Sequence, residues 1–250
     1  MIYLTGDIHG ADSINRLSRN RWPQARGLTR DDFVIILGDF GLVWSDPPSS
    51  EDSWWLRWLD HYPAKVLFVD GNHENHDLLD AMPVTDWMGG RVHEVTPNVL
   101  HLMRGEVFDL PDGDGTTRVL AFGGARSHDV PWRTEGLDWW PRELPDEGDF
   151  RNACESLDAV GWRVDYVLTH DCPSACKLSV MLPPSLYSLG DYGESARWKD
   201  DRLNGYLDEI DARLDYKAWY FGHYHTNAAC VDGRHACLYR DIVQLGDLPR

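Results

Sequence analysis

The chain lacks any long hydrophobic run: none of its 250 residues fall in a stretch approaching the roughly 18 consecutive apolar residues of a membrane-spanning helix. No membrane partner is expected. It begins on an apolar strand-like segment, without a basic leader or small-residue cleavage site, so the expected location is cytoplasmic. Positive charge is scarce, with 24 Lys and Arg against 41 Asp and Glu and a formal charge of -17. A partner held through its phosphate backbone needs clustered cations that displace counterions, so extended nucleic acid is not an expected partner. Cysteine is also sparse. Five thiols, an odd number without an export signal, argue against a disulfide framework. Cys172 and Cys176 stand in a C-x3-C spacing, but the common structural zinc pattern is tighter and comes in two pairs, so these are read as reduced, structurally neutral thiols.

What the chain does have is a series of short apolar runs, each closed by glycine or a polar residue. They are "MIYLTG" at the start, "DFVIILG" at 32–38, "KVLFVDG" at 65–71, "VDYVLTH" at 164–170 and "KAWYFGH" at 217–223. Runs of this length rich in Val, Ile, Phe and Tyr fit strands buried on both faces. Between them, "SWWLRWLDHY" at 53–62 places Trp54, Trp55, Trp58 and Leu59 on one helical face, which predicts a helix with core tryptophans. A second helix is predicted within 194–214, and alternation of strand and helix gives an α/β fold. Residues 92–123 read as an antiparallel meander, and "AACVDGRHACLY" at 228–239 as a hairpin with a two-residue Asp232-Gly233 turn. One domain spanning 1–250 is expected.

The five strands end in matched chemistry: Asp7 with His9, Asp39, Asn72 with His73, His170, and His223 with His225. Ligands of open α/β sheets gather beyond the carboxyl ends of strands, so these side chains are expected in one crevice. Carboxylate, amide oxygen and imidazole without thiolate suit Mn, Fe, Zn or Co. Seven donors exceed the needs of one ion with room for water, so two divalent ions are expected.

In order along the chain, "GDIHG", "GDFG", "GNHE", "TH" and "GHYH" resemble the motifs of the calcineurin-like metallophosphoesterases, over nearly the whole length from residue 6 to residue 225. The resemblance implies a four-layer sandwich of two mixed β-sheets flanked by helices, and hydrolysis of a phosphate ester by a two-metal-activated hydroxide. It also implies roles: Asp7, His9 and His225 on the first metal, Asn72, His170 and His223 on the second, Asp39 bridging, and His73 catalytic beside them. Glu74 belongs to the family pattern and either orients its neighbours or starts a helix. The protein serine/threonine phosphatases follow the bridging aspartate with an aspartate and an arginine. Here Phe40, Gly41 and Leu42 stand instead, which points away from that branch and leaves Asp77 or Asp129 to orient His73.

"FGGARSHD" at 122–129 ends a further strand, and Arg126 and His128 are candidate substrate-binding residues there. The aromatic segment 131–145 reads as a loop anchored by Trp132, Trp139 and Trp140. The remaining histidines, His61, His76, His93, His101 and His235, read as surface or hydrogen-bonded core residues. The expected substrate is a small phosphomonoester or phosphodiester. The alternatives are a nuclease acting on DNA or RNA ends and a non-catalytic metal-binding scaffold of the same fold.

Overall fold

The structure, a computed structural model, describes residues 1–181 and 202–249. The apolar runs form strands β1 (Ile2–Thr5), β2 (Phe33–Leu37) and β3 (Lys65–Val69), paired in parallel. β3 continues in parallel into β6 (Val99–Leu102), then antiparallel β5 (Gly90–Thr96) and β4 (Val84–Trp87); β13 (Val243–Gln244) covers the far edge. The second sheet pairs β8 (Gly115–Phe122), β9 (Tyr166–Thr169), β10 (Ala218–Phe221) and β12 (His235–Cys237) in parallel. Antiparallel β7 (Glu106–Asp112) and β11 (Ala228–Ala229) close its edges.

Side chains alternate across a strand, and both faces of these strands are apolar. Ile35 and Leu37 therefore join Val119, Ala121, Leu168 and Tyr220 in the core between the sheets, while Val34 and Ile36 face outward. That outer face is covered by α1 (Ser50–Asp60) and α2 (His76–Asp80), through Leu59 and Leu79. On the other sheet, Leu120, Phe122, Val167 and Trp219 pack against α3 (Glu147–Ala159), α4 (Ser174–Met181) and α5 (Arg202–Arg213). Two mixed sheets with helices outside is the layered α/β arrangement expected.

Several local expectations are corrected. Trp54 is 51% exposed, because the buried stripe of α1 centres on Leu59 with Trp55 and Trp58 only partly covered. The stretch 92–123 is not one meander: β5 and β6 pair in the first sheet, β7 and β8 in the second. The chain crosses between sheets at Arg104 and Gly105. Gly105 has φ 78, and a Cβ there would lie 2.6 Å from the Ala153 amide nitrogen of α3. The hairpin at 228–239 forms with Ala228 opposite Cys237 and Ala229 opposite Ala236, so its loop is longer than two residues. Residues 194–201 of the second predicted helix lie outside the described residues.

Candidate metal centre

The carboxyl ends of β1, β2, β3, β9 and β10 meet at one place, and the donors of the "GDIHG" to "GHYH" series project there. Asp7, His9, Asp39 and His225 can each offer one ligand atom with all four within 4.8 Å of one another. His9 Nε2 lies 3.0 Å from His225 Nε2 and 3.7 Å from Asp39 Oδ2, and His225 Nε2 lies 3.2 Å from Asp7 Oδ2. On the other side of Asp39, its Oδ1 is 3.2 Å from His170 Nε2, which is 3.3 Å from Asn72 Oδ1. The His223 ring centroid lies 5.1 Å from that of His170.

Backbone geometry is shaped to this end. His9 (φ 51), Asp39 (φ 49), His223 (φ 68) and His225 (φ 51) all occupy the left-handed region, a conformation that costs L-residues roughly 1–2 kcal/mol each. Glycine would be easier at each position, but it carries no ligand; such strain clusters at functional sites. Gly71 does not take a positive φ, so it is not there for a left-handed turn. A Cβ there would sit 2.1 Å from Asp39 Oδ1 and 2.8 Å from His170 Nε2, so Gly71 makes room for the donors of neighbouring strands.

The second layer of contacts fixes orientation. His170 Nδ1–H donates to the Leu37 carbonyl at 2.6 Å, which leaves Nε2 to face Asp39 and Asn72. Asn72 Nδ2 donates to Ser127 Oγ at 3.1 Å, and Ser127 donates to Glu143 from both Oγ (2.7 Å) and N (2.8 Å), so the amide oxygen is turned inward. The amides of His73 and His223 donate to Asp39 Oδ1 (2.8 Å) and Asp7 Oδ1 (2.9 Å). Glu74 is buried and accepts from the Phe40 and Gly41 amides at 2.7 and 3.2 Å. It thus holds the loop after Asp39 rather than starting a helix.

Electrostatics fit a cation. Burial raises the Asp7 carboxyl above its ordinary range, and its Oδ2 is buried with no hydrogen-bond partner. Burial works in the same direction on Asp39, but His170 beside it more than reverses the effect and holds it low. Two buried carboxylates facing imidazole nitrogens, one of their oxygens without a hydrogen-bond partner, form a donor set that suits a divalent ion.

His73 meets an unexpected neighbour. Its Nε2 lies 3.3 Å from Arg133 Nη2, and Arg133 is paired with Asp129 at 2.7 Å. Asp129 therefore reaches His73 through a guanidinium, while Asp77 is bonded to Trp140 Nε1 at 2.9 Å. Burial, with Arg133 nearby, lowers the His73 pKa. Trp140 anchors the aromatic loop, whereas Trp132 is 83% exposed and anchors nothing. His128 stacks on His223, with centroids 5.5 Å apart. Arg126 is exposed on the same strand-end loop.

Arg133, Arg16 and Tyr239 escaped the sequence reading. Arg16 Nη2 donates to the Asp7 carbonyl at 2.7 Å, and Tyr239 stacks on His225 at 4.6 Å. None of the three lies in a motif; only folding reveals them.

Comparison with known proteins adds relatives. The chain is 25% identical over 204 residues to a lariat debranching enzyme of Schizosaccharomyces pombe, covering 74% of this chain and 40% of that one. It thus spans less than half the length of this curated relative. A solved Staphylococcus aureus structure carrying a provisional 5'-nucleotidase assignment superposes with a TM-score of 0.50 at 18% identity, covering 96% of this chain and 49% of that one. The phosphopantetheinyl hydrolase of Mycobacterium tuberculosis gives 0.46 at 16% identity, covering 95% and 89%. The family model for calcineurin-like phosphoesterases matches residues 1–227, and the chain belongs to that family.

Proposed function

We propose that this protein hydrolyses small phosphate esters at a two-metal centre. The observation that carries the reading is Asp39, whose two oxygens face different donor groups, Oδ2 toward His9 and Oδ1 toward His170. Asp7, His9 and His225 would hold one ion, Asn72, His170 and His223 the other, with Asp39 between them. When bound, such ions lower the pKa of water and neutralise phosphoryl oxygens. Mn, Fe, Zn and Co all suit these donors.

The chain's own groups supply the rest. His73 sits edge-on to His9, centroids 4.9 Å apart, with its backbone tied to Asp39. That places its ring beside the donor cluster, where it meets charge on the phosphoryl group or the departing oxygen. Arg133 holds the ring through Nε2 and adds a fixed cation whose planar fork suits phosphate oxygens. His128, on the rim against His223, and Arg126 are placed to contact the remainder of a substrate. Metal cations offset the acidity of the chain locally, so a net charge of -17 is compatible with an anionic substrate.

A second reading is a nucleotide-containing phosphodiester. A groove of about 470 Å³ adjoins His9 and is lined by Arg16, Arg21, Arg240 and Tyr239, which combines cations and an aromatic face in an otherwise acidic protein. The relative named as a lariat debranching enzyme is consistent with it. The test is hydrolysis of an aryl phosphate, an aryl phosphodiester, nucleotides, single-stranded DNA and RNA at matched phosphate concentration, with Mn added. Faster turnover of the small esters supports the first reading. Rapid degradation of polymers with little turnover of small esters replaces it with the second.

A further inference from the structure

Behind the histidines of the second sheet lies a buried polar cluster that is not part of the donor set. Asp171, next to His170 at the end of β9, is 1% exposed. Its Oδ1 accepts from the Tyr224 hydroxyl at 2.5 Å and from the Cys172 amide at 2.8 Å. Its Oδ2 accepts from Asn204 Nδ2 of α5 at 3.1 Å and lies 3.5 Å from Lys177 Nζ of α4. Lys177 and Asn204 are buried too, and Lys177 Nζ donates to Asn204 Oδ1 at 2.6 Å. Tyr224 stands between His223 and His225, whose backbones are both left-handed, with φ 68 and 51. One hydrogen bond therefore ties the loop carrying two strained histidines to the residue beside a third.

Strained backbone persists only where its surroundings over-determine it. Ahead of Tyr224 the loop is tied through its backbone: the Gly222 amide donates to the His170 carbonyl at 3.0 Å, and the His223 amide to Asp7 Oδ1 at 2.9 Å. Tyr224 adds a side-chain tie midway between the two left-handed residues. We propose that Asp171 and Tyr224 are positioning residues of the strand-end centre: the buried carboxylate, held by Asn204 and Lys177, anchors the Tyr224 hydroxyl and so fixes His223 and His225 toward the donor cluster. The inference rests on the two-ion reading and extends it to side chains that would touch no ion. Such outer supports govern metal affinity because they set the orientation of the ligands. The competing account is a cluster that only fastens α4 and α5 to the second sheet. Leu203, Leu207 and Ile210 already join α5 to that sheet through the apolar core, and a buried charge is a costlier fastening than an apolar side chain. Nor does that account call for the Tyr224 hydroxyl.

The test separates positioning from fastening. Tyr224→Phe removes the hydroxyl alone, and calorimetric titration of Mn into the metal-stripped variant is expected to show affinity lower by about tenfold or more, with kcat/KM recovered at excess Mn. Tyr216→Phe is the matched control: its hydroxyl is bonded to Asp211 at the amino end of β10, opposite the strand-end centre. This control is expected to keep wild-type Mn affinity whatever its melting temperature. Wild-type affinity in folded Tyr224→Phe overturns the proposal, as does an equal loss in both variants. Should Tyr224→Phe fail to fold, Asn204→Ala withdraws a hydrogen bond from Asp171 Oδ2 and is expected to weaken Mn binding severalfold; unchanged affinity in that folded variant overturns the proposal. Wild-type protein that binds no Mn removes the two-ion reading itself, and this inference with it.

Discussion

Asp39 faces two donor groups at once, and its replacement should be felt at both. If two ions sit on either side of Asp39, Asp39→Asn would remove one negative charge from between them and weaken an oxygen donor, so both are expected to bind less tightly. His73 predicts a different outcome. His73→Ala should retain metal while kcat falls by about 10² or more, because the side chain acts mainly as charge develops. Metal content and steady-state kinetics measured on the same preparation check both variants. Arg133→Ala should lower kcat/KM by more than tenfold, roughly 1.4 kcal/mol of transition-state binding or more, again with metal retained. A His73→Ala protein that loses metal yet regains full activity on reconstitution would mean that His73 is a ligand. At this scale the donors were legible in sequence because each follows a glycine-bounded apolar strand, so position and chemistry are both marked. Arg133 was not, since it lies in an irregular loop whose path depends on Trp140 reaching Asp77. The role of Gly71 was not legible, since only the fold shows that it leaves space for Asp39 and His170.

Among the elements, the crossover between sheets is held by a buried ionic network. Asp70, at the end of β3, accepts from Arg104 Nε at 2.9 Å and from His101 Nε2 at 3.1 Å, and His101 Nδ1 meets His93 Nδ1 at 3.0 Å. Burial works to raise the Asp70 carboxyl, but Arg104, together with His101 and His76, more than reverses it and holds it well below the usual range. Arg104→Ala should destabilise the protein by about 3–5 kcal/mol, because it leaves a buried carboxylate unpaired. Urea unfolding of wild type and variant measures this. Nearby, burial lowers His76 to about 3 and His93 to about 4. Unfolding lets both regain an ordinary pKa, so between about pH 6.5 and 4 the unfolded chain binds up to two more protons than the folded one. Stability should fall with decreasing pH across that window, by up to about 2.7 kcal/mol per unit, continue to fall at about half that slope through the His76 pKa, and level off below about pH 3. Strand existence was legible from the apolar runs. The division of residues 92–123 between two sheets was not, because antiparallel patterning is the same whichever sheet a hairpin joins.

The whole molecule combines a strongly acidic composition with a local concentration of cationic and metal-binding groups at one end of its strands. Acidic surface opposes long polyanions, while Arg16, Arg21 and Arg240 line the groove beside His9. If a substrate phosphate uses that groove, Arg240→Ala should raise KM severalfold for a nucleotide diester and leave a minimal aryl phosphate unchanged. The central claim is the pair of ions at the strand ends. Its most direct test is calorimetric titration of Mn into metal-stripped protein, with hydrolysis of an aryl phosphodiester read in parallel. Mn is chosen because it suits the carboxylate, amide and imidazole donors at the strand ends. Two Mn ions per chain, hydrolysis that rises with their binding, and loss of both in Asp39→Asn are the predicted result. Absence of Mn binding, or hydrolysis at full rate in the stripped protein, would contradict it.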